Sequence, residues 1–502
     1  MKSLRSATLD GFDAKEVSVE VSLTKGLPNI SLVGMASTSV KEAIERIKSA
    51  LLSNNFKFPP KRITINLAPS ELSKNGSHFD LPIALLIALY DLKTDINEWF
   101  VFGELGLDGN IKESSDIYPL ILSLANQNKL QKVIVPKSAV EKLSKIPNII
   151  IYGFENLVEV VNAFHKNSFS PTHTNNDLEY LHVNINGKKY YFTQEYKMDF
   201  ADVKAQEIAK RAALIAASGF HNILLEGSPG CGKSMIAQRL RYILAPMSLE
   251  ELLEKVKIEV LSANEPSFNP LRPFSAPHHT ATQASIFGGG SKKARIGEVG
   301  LAHLGELFFD ELPHFAKNVL EALREPMQDN VIRISRVNNK IEYKSDFLFV
   351  GAMNPCPCGN LLDPSKECRC SDLEIQRYRN RLSDPFLDRI DLHVKMQSVS
   401  FEQSASYTSK QLHQKVIDAF VFAKKRGQDI FNGNLVEKDI EKFCILQEDA
   451  KETLEIASRH FNLSFRSINS VKKVARTIAD LEQSQNIKNE HILEALSYRR
   501  RD

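Results

Sequence analysis

A glycine-rich stretch, GSPGCGKS at residues 227–234, constrains the fold of this chain more than any other feature. An apolar run at residues 222–226 precedes it and predicts a buried strand, and a helical pattern at residues 235–244 follows it. In this order the glycines let backbone N–H groups converge on phosphate oxygens at the positive end of the helix. We therefore predict an ATP-binding phosphate loop made of Gly227, Ser228, Pro229, Gly230, Cys231, Gly232, Lys233 and Ser234.

Within the loop, Lys233 is expected to contact the β- and γ-phosphates, and Ser234 to be a ligand of Mg²⁺. Polar residues at the ends of two other predicted strands complete this site. The strand at residues 306–309 ends in Asp310 and Glu311. We expect Asp310 to hold Mg²⁺ through water and Glu311 to orient the attacking water. The strand at residues 347–352 leads to Asn354, which is expected to position that water. Solvated loops after ordinary strands are the alternative.

The length and composition of the chain limit its class. With 502 residues it is long enough for two or three domains, and its net charge of +3 does not by itself indicate nucleic-acid binding. The apolar run at residues 81–90 is too short for a membrane span, and the N-terminus lacks the apolar region of a secretory signal. We expect a cytoplasmic protein with no membrane partner.

Patterning along the chain predicts a multidomain α/β protein. Residues 1–165 alternate strand-like stretches (17–23, 62–67 and 132–136) with helical ones, including residues 39–52. Residues 166–187 are predicted to be a linker. Residues 188–400 are rich in strand–helix units around the phosphate loop. Residues 401–502 are charged, have helical periodicity and nearly lack glycine and proline, which predicts a small helical lid.

Four long motifs make the prediction more specific. They read RPFSAPHHTATQASIFGGG from Arg272, GEVGLAHLGELFFDELPHF from Gly297, AMNPCPCG from Ala352 and RYRNRLSDPFLDRIDLHV from Arg377. Together they resemble the magnesium-chelatase-like AAA+ ATPases of the YifB/ComM type. The resemblance implies that Arg389 is an arginine finger acting on a neighbouring subunit of a ring, a homo-oligomer that is a hexamer in the family. Three nearby arginines are rivals for this role: Arg377, Arg379 and Arg381.

The same resemblance assigns three further residues of the nucleotide site. Arg466, in the sequence SFR of the lid, is similar to the second sensor arginine of the family. Val203 and Gln206 match the stretch that lines the adenine pocket.

Two insertions are candidates for DNA contact. Residues 276–293 contain three consecutive glycines followed by Lys292 and Lys293, and residues 331–343 predict a hairpin that carries Arg333, Arg336 and Lys340. In the family such insertions point into the central pore, where basic groups would follow a phosphate backbone of single-stranded or branched DNA. An ordinary solvated hairpin is the alternative.

Four of the six cysteines form a cluster of two C-x-C pairs: Cys356, Cys358, Cys368 and Cys370. Four thiolates suit a tetrahedral structural Zn²⁺ site that would fix a loop without a core of its own. A cluster of free thiols is the alternative.

Residues 1–165 resemble the Lon-protease-like domain. Aligned on that motif, His78 stands where the nucleophilic serine belongs, with Ser77 one position early, and Tyr118 stands where the activating lysine belongs. A serine without such a base is not activated, so we predict a non-proteolytic domain.

These observations lead to one functional hypothesis and two alternatives. The hypothesis is a ring-forming, ATP-dependent DNA translocase or branch-migration helicase that serves recombination or natural transformation. The alternatives are an ATP-driven metal-insertion subunit like true magnesium chelatase and, as the weakest, a Lon-like protease. The Lon-like domain and the cysteine cluster argue against the first alternative, and His78 and Tyr118 argue against the second.

Overall fold

A computed structural model shows two compact units in the chain. The structure describes residues 2–11, 13–92, 96–175, 178–289, 295–335, 340–363, 365–397 and 406–499. The N-terminal unit comprises Met1–Glu179 and Glu259–Phe268, and the P-loop unit comprises Tyr180–Ile258 and Asn269–Asp502. The domain boundaries predicted at residues 165, 187 and 400 stay predictions.

The N-terminal unit is built on a mixed eight-stranded sheet. Its strands are β1 (Lys2–Asp10), β2 (Asp13–Thr24), β3 (Asn29–Val33), β4 (Arg62–Ala68), β5 (Phe100–Val101), β6 (Glu104–Leu105), β7 (Ile111–Lys112), β8 (Lys132–Pro136), β9 (Ile149–Phe154) and β10 (His173–Asn175). Its helices are α1 (Thr38–Ser53), α2 (Asp80–Ala88), α3 (Ile117–Asn126), α4 (Val140–Leu143) and α5 (Leu157–Lys166). Eight of these ten strands form the sheet, in the order β10-β9-β8-β5-β1-β2-β4-β3, and the other two, β6 and β7, form a separate hairpin.

Apolar periodicity explains how α1 packs in this unit. Val40, Ala43, Ile47 and Leu51 recur at helical spacing and are all buried. This helix and the strands predicted within β2, β4 and β8 are therefore confirmed.

The P-loop unit combines a parallel sheet with a helical C-terminal part. Its strands are β11 (Leu181–Ile185), β12 (Lys188–Phe192), β13 (Ile223–Gly227), β14 (Met247–Ser248), β15 (Phe274–Ser275), β16 (Glu306–Phe309), β17 (Val331–Ser335), β18 (Lys340–Lys344), β19 (Leu348–Met353) and β20 (Leu392–Met396). Its helices are α6 (Glu207–Gly219), α7 (Lys233–Leu240), α8 (Leu249–Leu261), α9 (Gln283–Phe287), α10 (Glu298–Leu301), α11 (Lys317–Ala322), α12 (Arg324–Asp329), α13 (Asp372–Arg379), α14 (Asp384–Leu387), α15 (Ser409–Lys425), α16 (Glu437–Phe443), α17 (Glu448–His460), α18 (Phe465–Leu481) and α19 (Asn489–Ser497).

The central sheet of this unit has five parallel strands in the order β15-β16-β19-β13-β20. Because the strands are parallel, the carboxyl ends of β13, β16 and β19 lie at one edge, which is where such sheets bind ligands. One hydrophobic core runs from β13 and β20 through α6 into α15, α18 and α19. The predicted α/β multidomain fold with a helical C-terminal part is confirmed.

Two smaller sheets lie outside the central sheet of this unit. β11, β12 and β14 form a separate antiparallel sheet, and β17 pairs with β18 as the predicted hairpin. None of the helices in the described ranges combines the length and the apolar composition that crossing a bilayer requires.

Candidate functional site

The glycine-rich loop links β13 to α7 in a conformation that needs its glycines. Gly230 and Gly232 have positive φ angles of 82° and 95°, a region that side chains strongly disfavour. At Gly227 a β-carbon would lie 2.7 Å from Cys231 Sγ and 2.8 Å from the carbonyl oxygen of Met396. The loop therefore closes tightly on the edge of the sheet, and α7 begins directly after it at Lys233.

Lys233 is the first residue of α7, and its side chain folds back into the loop. Nζ donates hydrogen bonds to the carbonyl oxygens of Gly227 at 2.6 Å and Ser228 at 3.0 Å, and to Asn354 Oδ1 at 3.1 Å. Burial lowers the pKa of this amine below its usual value. All three acceptors are neutral oxygens, which the anionic oxygens of a phosphate can outcompete as partners of an ammonium group.

Two oxygen donors lie side by side where Mg²⁺ is expected. Ser234 Oγ donates a hydrogen bond to Asp310 Oδ2 at 2.8 Å, which joins the start of α7 to the end of β16. A hydroxyl and a carboxylate this close are hard oxygen ligands of the kind that Mg²⁺ prefers. The chemistry of this pair fits the cation.

Glu311 stands next to this pair in an unusual backbone conformation. Its φ of 50° lies in the left-handed region, and its backbone N–H donates to Asp310 Oδ1 at 2.9 Å. The side-chain carboxylate is more than half exposed, and Oε2 lies 3.5 Å from His279 Nδ1. Sequence reasoning did not identify His279 as a partner of Glu311, although the two consecutive histidines after β15 were its visible signal.

Asn354 follows β19 and lies at the same edge, within hydrogen-bond distance of Lys233. The segment after it packs against the glycine loop, since a β-carbon on Gly359 would lie 2.5 Å from Pro229 Cδ. Thus the structure brings together Lys233, Ser234, Asp310 and Asn354 from three strand ends.

Of the two residues expected near adenine, Gln206 contacts the glycine loop. Val203 is buried. Gln206 has a positive φ of 58°, and its Nε2 donates to the carbonyl oxygens of Cys231 at 3.0 Å and Gln397 at 2.7 Å. Gln206 therefore connects the loop to the end of β20.

Arg389 and Arg466 lie together in a second place. Arg389 Nη2 and Arg466 Nη2 both donate to Gln328 Oε1, at 2.6 Å and 2.9 Å, and Arg389 also bonds to the carbonyl oxygens of Arg324 and Pro385. In the described part of the chain, these hydrogen bonds do not include residues of the glycine loop. Two of the three rival arginines bind elsewhere: Arg379 pairs with Glu226 at 3.4 Å, and Arg381 donates to the carbonyl oxygen of Pro313.

The hairpin β17–β18 holds its arginine among acids. Arg333 pairs with Glu325 at 2.8 Å, with Glu342 at 3.1 Å and with Asp329 at 3.7 Å. Lys340 begins β18. Its side chain, like all of Arg336, Lys292 and Lys293, lies outside the described parts of the chain.

The four clustered cysteines meet in the geometry of a metal site. Cys356, Cys358 and Cys368 have Sγ–Sγ separations of 3.4 to 3.7 Å, and all four sulfurs, with Cys370, lie within 4.8 Å of one another. A tetrahedral zinc site with normal Zn–S bonds has sulfurs about 3.8 Å apart. Backbone N–H groups of Asn360 and Arg369 lower the pKa of the Cys358 thiol to about 6. These residues fit a structural Zn²⁺.

In the N-terminal unit, the residues aligned on a protease site are buried or bonded within the fold. His78 is buried, and its Nε2 lies 2.9 Å from the carbonyl oxygen of Ala7. Ser77 Oγ donates to Glu104 Oε2. Burial raises the pKa of the Tyr118 hydroxyl well above its usual value. The hydroxyl therefore stays protonated and cannot take a proton from a serine.

Comparisons with known proteins agree with this architecture. Three family descriptions match: "Magnesium chelatase, subunit ChlI" at residues 199–404, "Subunit ChlI of Mg-chelatase" at residues 19–139, and "Magnesium chelatase, subunit ChlI C-terminal" at residues 406–499. The competence protein ComM of Haemophilus influenzae is 38% identical over 97% of this chain and 95% of its own length. The uncharacterized protein YifB of Escherichia coli is 38% identical with the same coverage. The magnesium-chelatase 67 kDa subunit of Heliobacterium mobile is 26% identical over 32% of this chain and 28% of its own length.

Proposed function

The chain belongs to the magnesium-chelatase-like AAA+ family that includes ComM and YifB, and from this we propose that it hydrolyses ATP to translocate or branch-migrate DNA. The observation that carries the ATPase part is the convergence of Lys233, Ser234, Asp310 and Asn354 at one edge of the parallel sheet. Its relative ComM is a competence protein, which supports handling of DNA in natural transformation or recombination. A cytoplasmic site of action belongs to the same proposal.

The residues of the site divide the work of hydrolysis. Lys233 exchanges its neutral acceptors for the β- and γ-phosphate oxygens of ATP. Ser234 and Asp310 would hold Mg²⁺, and the cation would supply positive charge that neutralises these phosphates. Glu311 accepts a hydrogen bond from the attacking water and aligns it with the γ-phosphate, while Asn354 keeps Lys233 and that water in place.

Assembly of several copies completes the site. Arg389 and Arg466 donate to Gln328, away from the glycine loop. An arginine placed there can stabilise the transition state on ATP bound by an adjacent copy, as arginine fingers do. We therefore propose a homo-oligomeric ring, a hexamer in the family arrangement.

Mixing inactive variants tests the ring. Arg389→Ala and Lys233→Ala proteins should each lose ATPase activity alone, and a mixture should recover part of it because some interfaces then carry both intact halves. Co-purification of differently tagged variants serves as the control for mixing. Mixed rings without recovery at any ratio would contradict a trans-acting arginine.

The hairpin is the proposed DNA contact. Its Arg333 is exposed and pairs with three acids, and exposed ion pairs contribute little to stability, so a DNA phosphate can replace them. The two lysines after the glycine run, Lys292 and Lys293, are a second contact in the proposal.

DNA-stimulated ATPase activity is the decisive measurement. Added single-stranded or branched DNA should raise the rate, and the stimulation should fall steeply with salt because phosphate binding releases counterions. Replacing Arg333, Arg336 and Lys340 together by Ala should remove most of the stimulation and spare basal hydrolysis. Replacing the exposed Lys410, Lys425 and Lys438 on α15 and α16 removes the same charge and should change neither. If DNA neither binds nor stimulates at low salt, the translocase proposal is wrong and a metal-insertion motor becomes the better reading.

A further inference from the structure

Gln328 lies on the short helix α12, and its amide oxygen accepts hydrogen bonds from two arginines at once. The donors are Nη2 of Arg389 at 2.6 Å and Nη2 of Arg466 at 2.9 Å. One arginine precedes β20 and the other lies in the first turn of α18, so residues distant in sequence meet at one oxygen. Gln328 is exposed. Arg466 is exposed and Arg389 is half-buried, so both arginines can be reached from outside the chain.

Arg324 adds a third cation to this place. It lies four residues before Gln328 on α12, so both side chains share one face of the helix, and its carbonyl oxygen accepts from Arg389 Nε at 3.1 Å. Burial lowers the pKa of Arg389, and the positive charges of Arg466 and Arg324 lower it further. Among the described residues Arg324 Nε is buried without a hydrogen-bond partner. We refer to Arg324, Arg389 and Arg466 as the arginine cluster.

The shared acceptor is neutral even though acids stand close by. Glu325 and Asp329, on the same helix, pair with Arg333. Glu321 pairs with Arg324 Nη1 at 2.7 Å. The oxygen that joins Arg389 and Arg466 belongs to an amide, which holds guanidinium groups less strongly than a carboxylate or a phosphate does.

We propose that Gln328 is the positioning residue of the arginine cluster, holding Arg389 and Arg466 beside Arg324 in readiness for the γ-phosphate of ATP bound by a second copy of the chain. The inference rests on the proposed function and extends it to Arg324 and Gln328. Between turnovers the amide oxygen keeps Arg389 and Arg466 side by side against their mutual repulsion. When a γ-phosphate arrives, its oxygens replace the amide oxygen, because they are charged and it is not.

Two substitutions of Gln328 separate this role from a structural one. Gln328→Glu keeps the shape and strengthens the bonds to both arginines, so a carboxylate occupies the receptor; we expect kcat to fall on the order of 100-fold. Gln328→Leu removes the acceptor and leaves the receptor open but less ordered, with an expected fall of about fivefold. KM for ATP should stay unchanged in both, since each copy binds its own nucleotide through Lys233.

The order of the two effects decides the question. A residue that merely stabilises the fold would tolerate the isosteric Glu better than Leu, which is the reverse order. Equal effects, or a larger loss with Leu, would overturn the proposal. Gln447→Glu adds the same charge at an exposed position before α17 and should leave kcat unchanged.

A mixing experiment distinguishes failure here from failure of the proposed function. Gln328→Glu protein mixed with Lys233→Ala protein should recover activity, since the two defects lie on opposite sides of an interface. If Arg389→Ala recovers with Lys233→Ala but Gln328→Glu does not, Gln328 acts within its own chain and this inference is wrong. If neither recovers in confirmed mixed rings, the trans-acting arginine itself is wrong.

Discussion

The two units of the chain each contain a compact group of buried polar residues, and the two groups differ in what satisfies them. In the P-loop unit, Lys233 donates to neutral oxygens that a phosphate can replace. In the N-terminal unit, Asp80 is fully buried and holds Arg46 through two hydrogen bonds of 2.8 and 3.1 Å. His78, two residues earlier in the chain, is buried with its Nε2 2.9 Å from the carbonyl oxygen of Ala7. A polar group whose partners are exchangeable suits a ligand, whereas one whose partners belong to the fold itself is not available to a ligand.

The largest expected effect tests the first half of this comparison. Lys233→Ala removes the phosphate contact and should weaken ATP binding itself, whereas Glu311→Gln should leave ATP bound and unhydrolysed. Each should lower kcat/KM or kcat on the order of 100-fold or more, measured as ATPase rate and nucleotide binding. Wild-type turnover by Glu311→Gln would show that another residue orients the water.

These positions also show what the sequence could predict. The loop, the acid pair and Asn354 each follow an apolar strand, so their meeting at one sheet edge follows from parallel pairing alone. The contacts of Gln328 could not be predicted, since Arg389 and Arg466 reach it from distant positions through tertiary packing. The His279–Glu311 contact likewise depends on how the segment after β15 crosses the sheet edge. Local patterns determine strands and turns, and long-range side-chain partners depend on the packed fold.

The second prediction tests the other half of the comparison through pH. Burial raises the pKa of the Asp80 carboxyl to about 6, and Arg46 opposes this only in part. Because the folded state then binds this proton more tightly than the unfolded state, the free energy of unfolding should be highest below about pH 4. It should fall by roughly 3 kcal/mol in all as pH rises through about 6. Asp80→Asn should flatten that dependence.

The fluorescence of the single tryptophan measures this pH dependence of stability. Trp99 packs against Tyr152, Phe164 and Phe169 in the N-terminal unit, so its emission in urea reports the unfolding of that unit. ATPase activity should persist in Asp80→Asn. The same pH dependence in wild type and variant would mean that another group titrates.

A smaller effect is expected at the cysteine cluster, which belongs to the P-loop unit. We expect one Zn²⁺ per chain by metal analysis, lost when Cys356 and Cys358 are both replaced by Ser. Because the segment from Asn354 to Gly359 packs on the glycine loop, metal loss should lower the stability of this unit by about 2 kcal/mol and reduce ATPase activity. The Trp99 transition should not move. A wild-type preparation that contains no metal and is fully active would show that the four cysteines are free thiols.

The smallest effect, none at all, is expected for Ser77→Ala, and it tests whether the N-terminal group has chemistry of its own. The hydroxyl of Ser77 donates to Glu104, and the nearest lysine in sequence, Lys74, donates its Nζ to the carbonyl oxygen of Pro69 instead. A serine without an amine or imidazole to take its proton is a weak nucleophile. Neither ATPase activity nor cleavage of an unfolded test protein should differ between wild type and Ser77→Ala, with Glu311→Gln as the control for ATP-dependent processing. Cleavage by wild type that disappears in Ser77→Ala would make the N-terminal unit a protease and remove the contrast between the two units.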